Sequence, residues 1–235
     1  PRKNISSKPE SKSFFEIITI LHRTLSNSKS LVLTIMAGTL YHVVLGAAQF
    51  EVIWAVADKG FNPNYFGQIN GWIFVVFGVL GSLFGGIASD WALKNYGLPR
   101  TWFLLVLTIL LMPLAFTRYL DTDNILFWVG ICSSAFSLGC FYGPIFAVIQ
   151  ELVPSSIKGT VVAFNLLCLN MLGIATGSIL FGIIADYAVA QGYENPYTNL
   201  LVGFSTLFLI LGPLLYYLAG RYYESDRKKL QKEFS

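Results

Sequence analysis

Long apolar runs separated by short polar breaks dominate the chain. Six can be marked: Leu31–Ala57, Phe66–Ser89, Thr101–Thr117, Ile125–Ile149, Thr160–Ala185 and Leu200–Gly220. Their length, about 20 residues each, is what a helix needs to cross hydrocarbon. None alternates apolar and polar residues with a period of two, so the pattern predicts spanning helices rather than barrel strands. Pro113, Pro144 and Pro213 lie inside runs, which membrane helices tolerate because neighbours re-satisfy the freed carbonyls. Ahead of the runs, residues 1–13 are polar and basic and read as a disordered linker. Phe14, Ile17, Ile18, Leu21 and Leu25 then recur at helical spacing and predict a short amphipathic helix. Such a helix suits a membrane interface or a seat on protein loops, and both readings fit.

Charge sharpens this picture. Charged residues are 12% of the 235-residue chain and hydrophobic ones 54%, against about 25% charged in an average soluble domain. Too few charges remain to solvate a soluble fold, so the class is all-α integral membrane. Fourteen of the sixteen Lys and Arg fall on one side of a six-span topology: the lead to Lys29, then Lys94, Arg100, Lys158 and the tail from Arg221. Only Lys59 and Arg118 fall on the other. Basic residues stay cytoplasmic, so both ends are expected there, in a plasma or inner membrane. Losing a span would scatter this bias, which supports the count of six.

The expected divisions are a cytoplasmic segment 1–29, a six-span unit 30–221 and a basic tail 222–235. The net charge of +3 points to the cytoplasmic leaflet of the bilayer, and no nucleic-acid partner is expected. Cys132, Cys140 and Cys168 all lie in apolar runs and read as packing residues. The chain opens at Pro1 on a charged lead without a signal peptide and is expected to be a fragment of a longer polypeptide.

A repeat organises the spans. Gly81–Trp91, GSLFGGIASDW, returns 96 residues later as Gly177–Tyr187, GSILFGIIADY, with five of the eleven positions identical. Copies three spans apart point in opposite directions, so this is a 3+3 inverted repeat, with Asp90 at the cytoplasmic face and Asp186 at the outer one. The same 96-residue offset is expected to carry the first span onto the fourth and the third onto the sixth. Inverted repeats are a recurring plan of secondary transporters. Gly81 with Gly85, Gly78 with Ser82, and Gly173 with Gly177 are small-xxx-small pairs that let helix backbones approach. Static packing and a sliding face both explain them.

GGIASDW followed by LPR resembles the cytoplasmic loop motif of major facilitator superfamily transporters, at Gly86, Asp90, Lys94 and Arg100. Trp91 stands where that motif has a basic residue, and the loop before Arg100 is longer. Gln150-Glu151-Leu152-Val153-Pro154 with Lys158-Gly159 is similar to the family's connection between its tenth and eleventh spans. The resemblance covers nearly the whole chain. It implies that these are spans seven to twelve, the C-terminal half, with an N-terminal six-helix half as partner. GSLFGG and Ile53-Trp54…Asp58-Lys59-Gly60-Phe61 resemble the Spinster-like branch, which exports lysolipids and related amphiphiles.

Polar residues inside spans mark candidate sites, because they are costly in hydrocarbon. The resemblance implies that the first and fourth spans line a cavity. The first holds His42, Gln49 and Glu51, the fourth Tyr142, the fifth Asn165 and Asn170. His42 and Gln49 are two turns apart and share a face; Gly46-Ala47-Ala48 offers a break before Glu51. Either Glu51 or His42 can take and release a proton during transport; a hydrogen-bonded structural Glu and a His packed on a tyrosine are the alternatives. Asn165 and Asn170 suit interhelical hydrogen bonds or substrate contact. Tyr142 suits a gate or the core. Asp90 is expected to cap the next helix or loop and to pair with a cytoplasmic cation. No Lys or Arg is expected well inside any span, which slightly favours an amphiphilic or organic solute.

No HExxH, GxSxG or GxGD occurs, so no enzyme is expected, and no cofactor or metal. The function expected is secondary transport of a small substrate, as symport or antiport, by alternating access. A non-transporting scaffold or receptor on the same fold is the alternative.

Overall fold

The computed structural model describes residues 14–153, 155 and 157–233. The basic residues before Phe14 and Pro154 of the quoted connection lie outside that range. Helix α1 (Phe14–Asn27) leads into the first span, α2 (Lys29–Ala48) and α3 (Glu51–Ala57). The second span is α4 (Pro63–Tyr96). The third is α5 (Arg100–Leu111) continued by a 3-10 helix (Met112–Tyr119), and the fourth is α6 (Ile125–Leu152). The fifth runs as α7 (Lys158–Leu167), a π-helical segment (Cys168–Ala175) and α8 (Thr176–Ala190); the sixth is α9 (Pro196–Glu233). Six of these units are long and apolar enough to cross a membrane, and the chain is an integral, multi-pass membrane protein.

Local chemistry starts and stops these helices. Ser28 Oγ accepts the Leu31 N–H ahead of α2, and Asn62 Oδ1 accepts those of Asn64 and Tyr65 ahead of α4. Gly97, at φ 63°, ends α4 in the left-handed region. The first and sixth spans run antiparallel, and each supplies a carboxylate to the other's N-terminus. Asp58 Oδ2 accepts from Thr198 N at 2.6 Å, and Asp226 Oδ2 accepts from Ser30 N at 2.7 Å. Both carboxylates sit at the positive ends of helix dipoles.

The inverted repeat is built into the packing. The first span packs on the fifth and sixth, and the fourth packs on the second and third. Gly139 of α6 is pressed against Gly78, Gly81 and Ser82, while Gly46 of α2 is pressed against Ile174, Gly177 and Ser178. The two receiving sets are 96 residues apart at every position, but Gly46 and Gly139 are 93 apart. The expected offset of 96 therefore holds between the second and fifth spans and is corrected to 93 between the first and fourth. The second repeat carries three more residues between its packing glycine and its receiving helix. A side chain on Gly81 would strike the Phe136 carbonyl, and one on Gly177 the Val43 carbonyl, the same 93/96 relation again. The small-residue pairs are thus interhelical contacts.

Two apolar clusters fill the bundle. Leu31, Tyr41, Phe141, Val148, Phe208 and Tyr216 centre the one nearer α1, and Trp54, Phe66, Phe127 and Phe181 the one at the other end. Helix α1 does turn an apolar face inward, but rotated from the expected stripe. Ile20, Leu21 and Leu25 pack on the core while Ile18 is exposed. The sixth span has no joint at residue 221: α9 continues to Glu233 with Tyr223, Asp226 and Leu230 buried.

Candidate functional site

Three polar clusters lie along the bundle. One forms where the first span breaks. Phe50 N donates to Ala47 O three residues back, at 3.1 Å, and Phe50 adopts φ −88°, ψ 8°, so the helix restarts at Glu51 on a new face. Glu51 is 3% exposed and pairs with Arg118 at 2.6 Å. Arg118, expected in the outer loop, is itself 4% exposed. Arg118 stands one residue before the end of the third span's helical stretch, buried rather than in a loop. Winding from Met112 onward as a 3-10 helix of three residues per turn carries the third span two residues past Thr117 and turns Arg118 inward. Its Nη2 also donates to Ser134 Oγ at 3.1 Å, and its guanidinium lies 5.6 Å over the Trp54 ring. Asn70 Nδ2 reaches Glu51 at 3.5 Å.

The second cluster sits at mid-span. His42 Nδ1 lies 2.8 Å from Gly38 O, and a carbonyl only accepts, so Nδ1 carries a proton. In the neutral ring Nε2 is then the acceptor, and the Tyr142 hydroxyl donates to it at 3.0 Å. His42 is 2% exposed, whereas Tyr142 is half-buried and stacks on Phe146. Gly173 of the π-helical segment lies directly against His42 and Thr39, where a larger residue would displace the imidazole. If Nε2 takes a proton, Tyr142 need only rotate its hydroxyl and become the acceptor. Gln49, expected on the His42 face, is exposed and accepts from Ser178 Oγ at 3.3 Å.

The third cluster lies at the end of the bundle where α4 meets α5. Asp90 accepts from Arg100 at 2.7 Å, Arg100 also pairs with Glu151, and Glu151 accepts from the Tyr223 hydroxyl. This ties the second, third, fourth and sixth spans together. Asp90 does pair with a cation, but α4 runs on to Tyr96, so the expected capping role is corrected: Gly97 ends the helix. Gly86 faces Gly143 across a gap, and Lys94 is exposed, apart from the pair.

The candidate residues therefore do not converge on one constellation. His42 joins Tyr142, Glu51 joins Arg118, and Gln49 joins Ser178. Asn165 is fully buried with neither amide atom hydrogen-bonded, and Asn170 is exposed with Nδ2 on its own helix, at Leu166 O. Neither forms the interhelical bond expected of it. Sequence reading missed Arg118, Glu151, Tyr223 and Asp226 as partners. Glu51 was the one available signal, since a buried carboxylate requires a cation or several donors. Among the described residues no group of three His, Cys, Asp or Glu is placed to hold a metal ion.

No family model matches the sequence, and no curated protein matches it. Among solved structures, a bacterial homolog of the human lysosomal transporter Spinster, inward-facing and unoccupied, matches with a TM-score of 0.73 at 16% identity. The match covers 94% of this chain and 54% of that one, so the chain spans about half the length of the structure it resembles. At that identity the likeness shows the fold alone: an all-helical bundle of six spans arranged as in part of that structure.

Proposed function

We propose that the chain is the C-terminal half of a secondary transporter that moves a small amphiphilic or organic solute by alternating access, with both ends cytoplasmic. The observation that carries this reading is the paired packing of first on fifth and fourth on second span, in a chain half the length of a transporter of the same fold. Half of the first span's apolar stretch is buried inside the bundle, against 11% of the second's. The second span's Trp72, Val75, Val79 and Leu83 are all more than half exposed, and we assign that uncovered surface to an N-terminal six-helix half and to lipid. The Asp90–Arg100–Glu151–Tyr223 cluster then serves as a cytoplasmic clasp among four spans.

We place a coupling proton on His42 rather than Glu51. His42 Nε2 accepts a proton with only a hydroxyl rotation at Tyr142, which leads towards the open face. Protonating Glu51 would instead strand a buried guanidinium, at a cost of several kcal/mol. The test is flux of a fluorescent lysophospholipid into proteoliposomes carrying the intact protein under an imposed pH gradient. His42→Gln is expected to abolish the gradient dependence, and Tyr142→Phe to weaken it. Equal flux with and without the gradient in the unsubstituted protein removes the coupling proposal, and no flux of any amphiphile removes the transport reading.

A further inference from the structure

A small cavity of about 40 Å³ lies between the first, third, fourth and sixth spans, beside but not part of the His42 cluster. Its polar lining is Tyr41, Ser134, Ser137, Ser205 and Arg118, with Met112 among the apolar residues. The hydrogen-bond inventory of this lining is unbalanced. Arg118 Nη2 is committed to Glu51 and Ser134, but Arg118 Nε is buried without a protein partner. All three serine protons are spent on helix carbonyls: Ser134 on Gly130, Ser137 on Ser134 and Ser205 on Leu201. Tyr41 and Ser137 oxygens are 3.0 Å apart, and since the Ser137 proton is spent, Tyr41 is the donor. The cavity therefore offers the Arg118 Nε–H donor and unused lone pairs on Tyr41, Ser137 and Ser205.

From this inventory we infer that the cavity is a binding site for internal water. A water accepts from Arg118 Nε and donates two protons to hydroxyl oxygens, so each of its bonds meets a donor or lone pair that the protein leaves unused. An anion does not fit, because Glu51 already neutralises the guanidinium. The volume exceeds the roughly 10–15 Å³ that one water needs, and it is too small for an organic solute. The bound water completes a path of hydrogen bonds from Glu51 through Arg118 to Tyr41, joining the outer and central parts of the first span across its break. It hydrates Arg118, the one buried Lys or Arg among the described residues. This inference stands independently of the transport reading.

X-ray radiolytic footprinting of the intact protein in lipid nanodiscs tests it, because radicals born on an internal water oxidise the side chains that touch it. Met112 and Tyr41, 7% and 2% exposed, are expected to be oxidised. Tyr193, 58% exposed in an outer loop, serves as the bulk-water control. Ser205→Val fills the cavity with methyl groups and is expected to take oxidation at Met112 and Tyr41 to background while Tyr193 is unchanged. Oxidised Tyr193 with untouched Met112 and Tyr41 in the unsubstituted protein overturns the proposal. So does oxidation at those two sites that Ser205→Val leaves as it was.

Discussion

Glu51→Gln separates a structural carboxylate from a proton carrier. The two partners' side chains are 4% and 5% exposed and their charged atoms 2.6 Å apart. Glutamine keeps the shape and can still accept one hydrogen bond, so the change removes charge and little else. A guanidinium is left in a packed protein interior, held by Ser134 and the Trp54 face without a counter-charge. Breaking a buried pair from one side costs about 3–5 kcal/mol, whereas replacing both partners by apolar residues of similar volume is often neutral. Glu51→Gln and Arg118→Met are therefore each expected to destabilise by roughly that amount. The double change Glu51→Leu with Arg118→Met is expected to cost far less than the sum of the two. Equilibrium unfolding in detergent, followed by tryptophan emission, measures all of them, and Trp54 under Arg118 reports locally. Gradient-dependent flux of Glu51→Gln at a temperature where it stays folded is expected to survive. If Glu51→Gln stays within about 0.5 kcal/mol of the unsubstituted protein, as surface changes do, or if the double change is simply additive, the pair is not the structural element described.

The glycine contacts and the reciprocal caps give two further expectations. Gly81→Leu and Gly177→Leu should destabilise to a similar degree, by about 1–3 kcal/mol or more from overpacking, because each drives a side chain into the facing helix's carbonyl. Gly203→Ala, with nothing within 4 Å of an added Cβ, should be neutral or gain about 0.5–1 kcal/mol; thermal unfolding compares the three, and equal tolerance at Gly81 and Gly203 would contradict the packing. Asp226→Asn weakens the contacts to Ser28 and Ser30 at a helix N-terminus and is expected to cost about 0.5–2 kcal/mol. It should also speed tryptic cleavage at Arg227 and Lys228, read by mass spectrometry; an unchanged cleavage rate would mean that Asp226 does not hold the extension.

Class, span number and the inverted repeat were legible in the sequence, because each depends on chemistry that acts along the chain. A run of twenty apolar residues satisfies its own backbone only as a helix. Basic residues sort to one side by their own charge, and a duplicated glycine pattern keeps its spacing within each helix. The break near Gly46 could be read for the same local reason. Partnership could not, because it is decided by rotation and register between segments distant in sequence. A 3-10 winding beyond Pro113 turned Arg118 from a loop residue into the counter-ion of Glu51, 67 positions away. The 93-residue relation of the first and fourth spans, the pairing of His42 with Tyr142 and the solitary burial of Asn165 arose in the same way. Sequence determined which residues must avoid hydrocarbon, and only the tertiary structure decided what each of them meets there, since hydrogen bonds and ion pairs depend on distances that chain spacing does not encode.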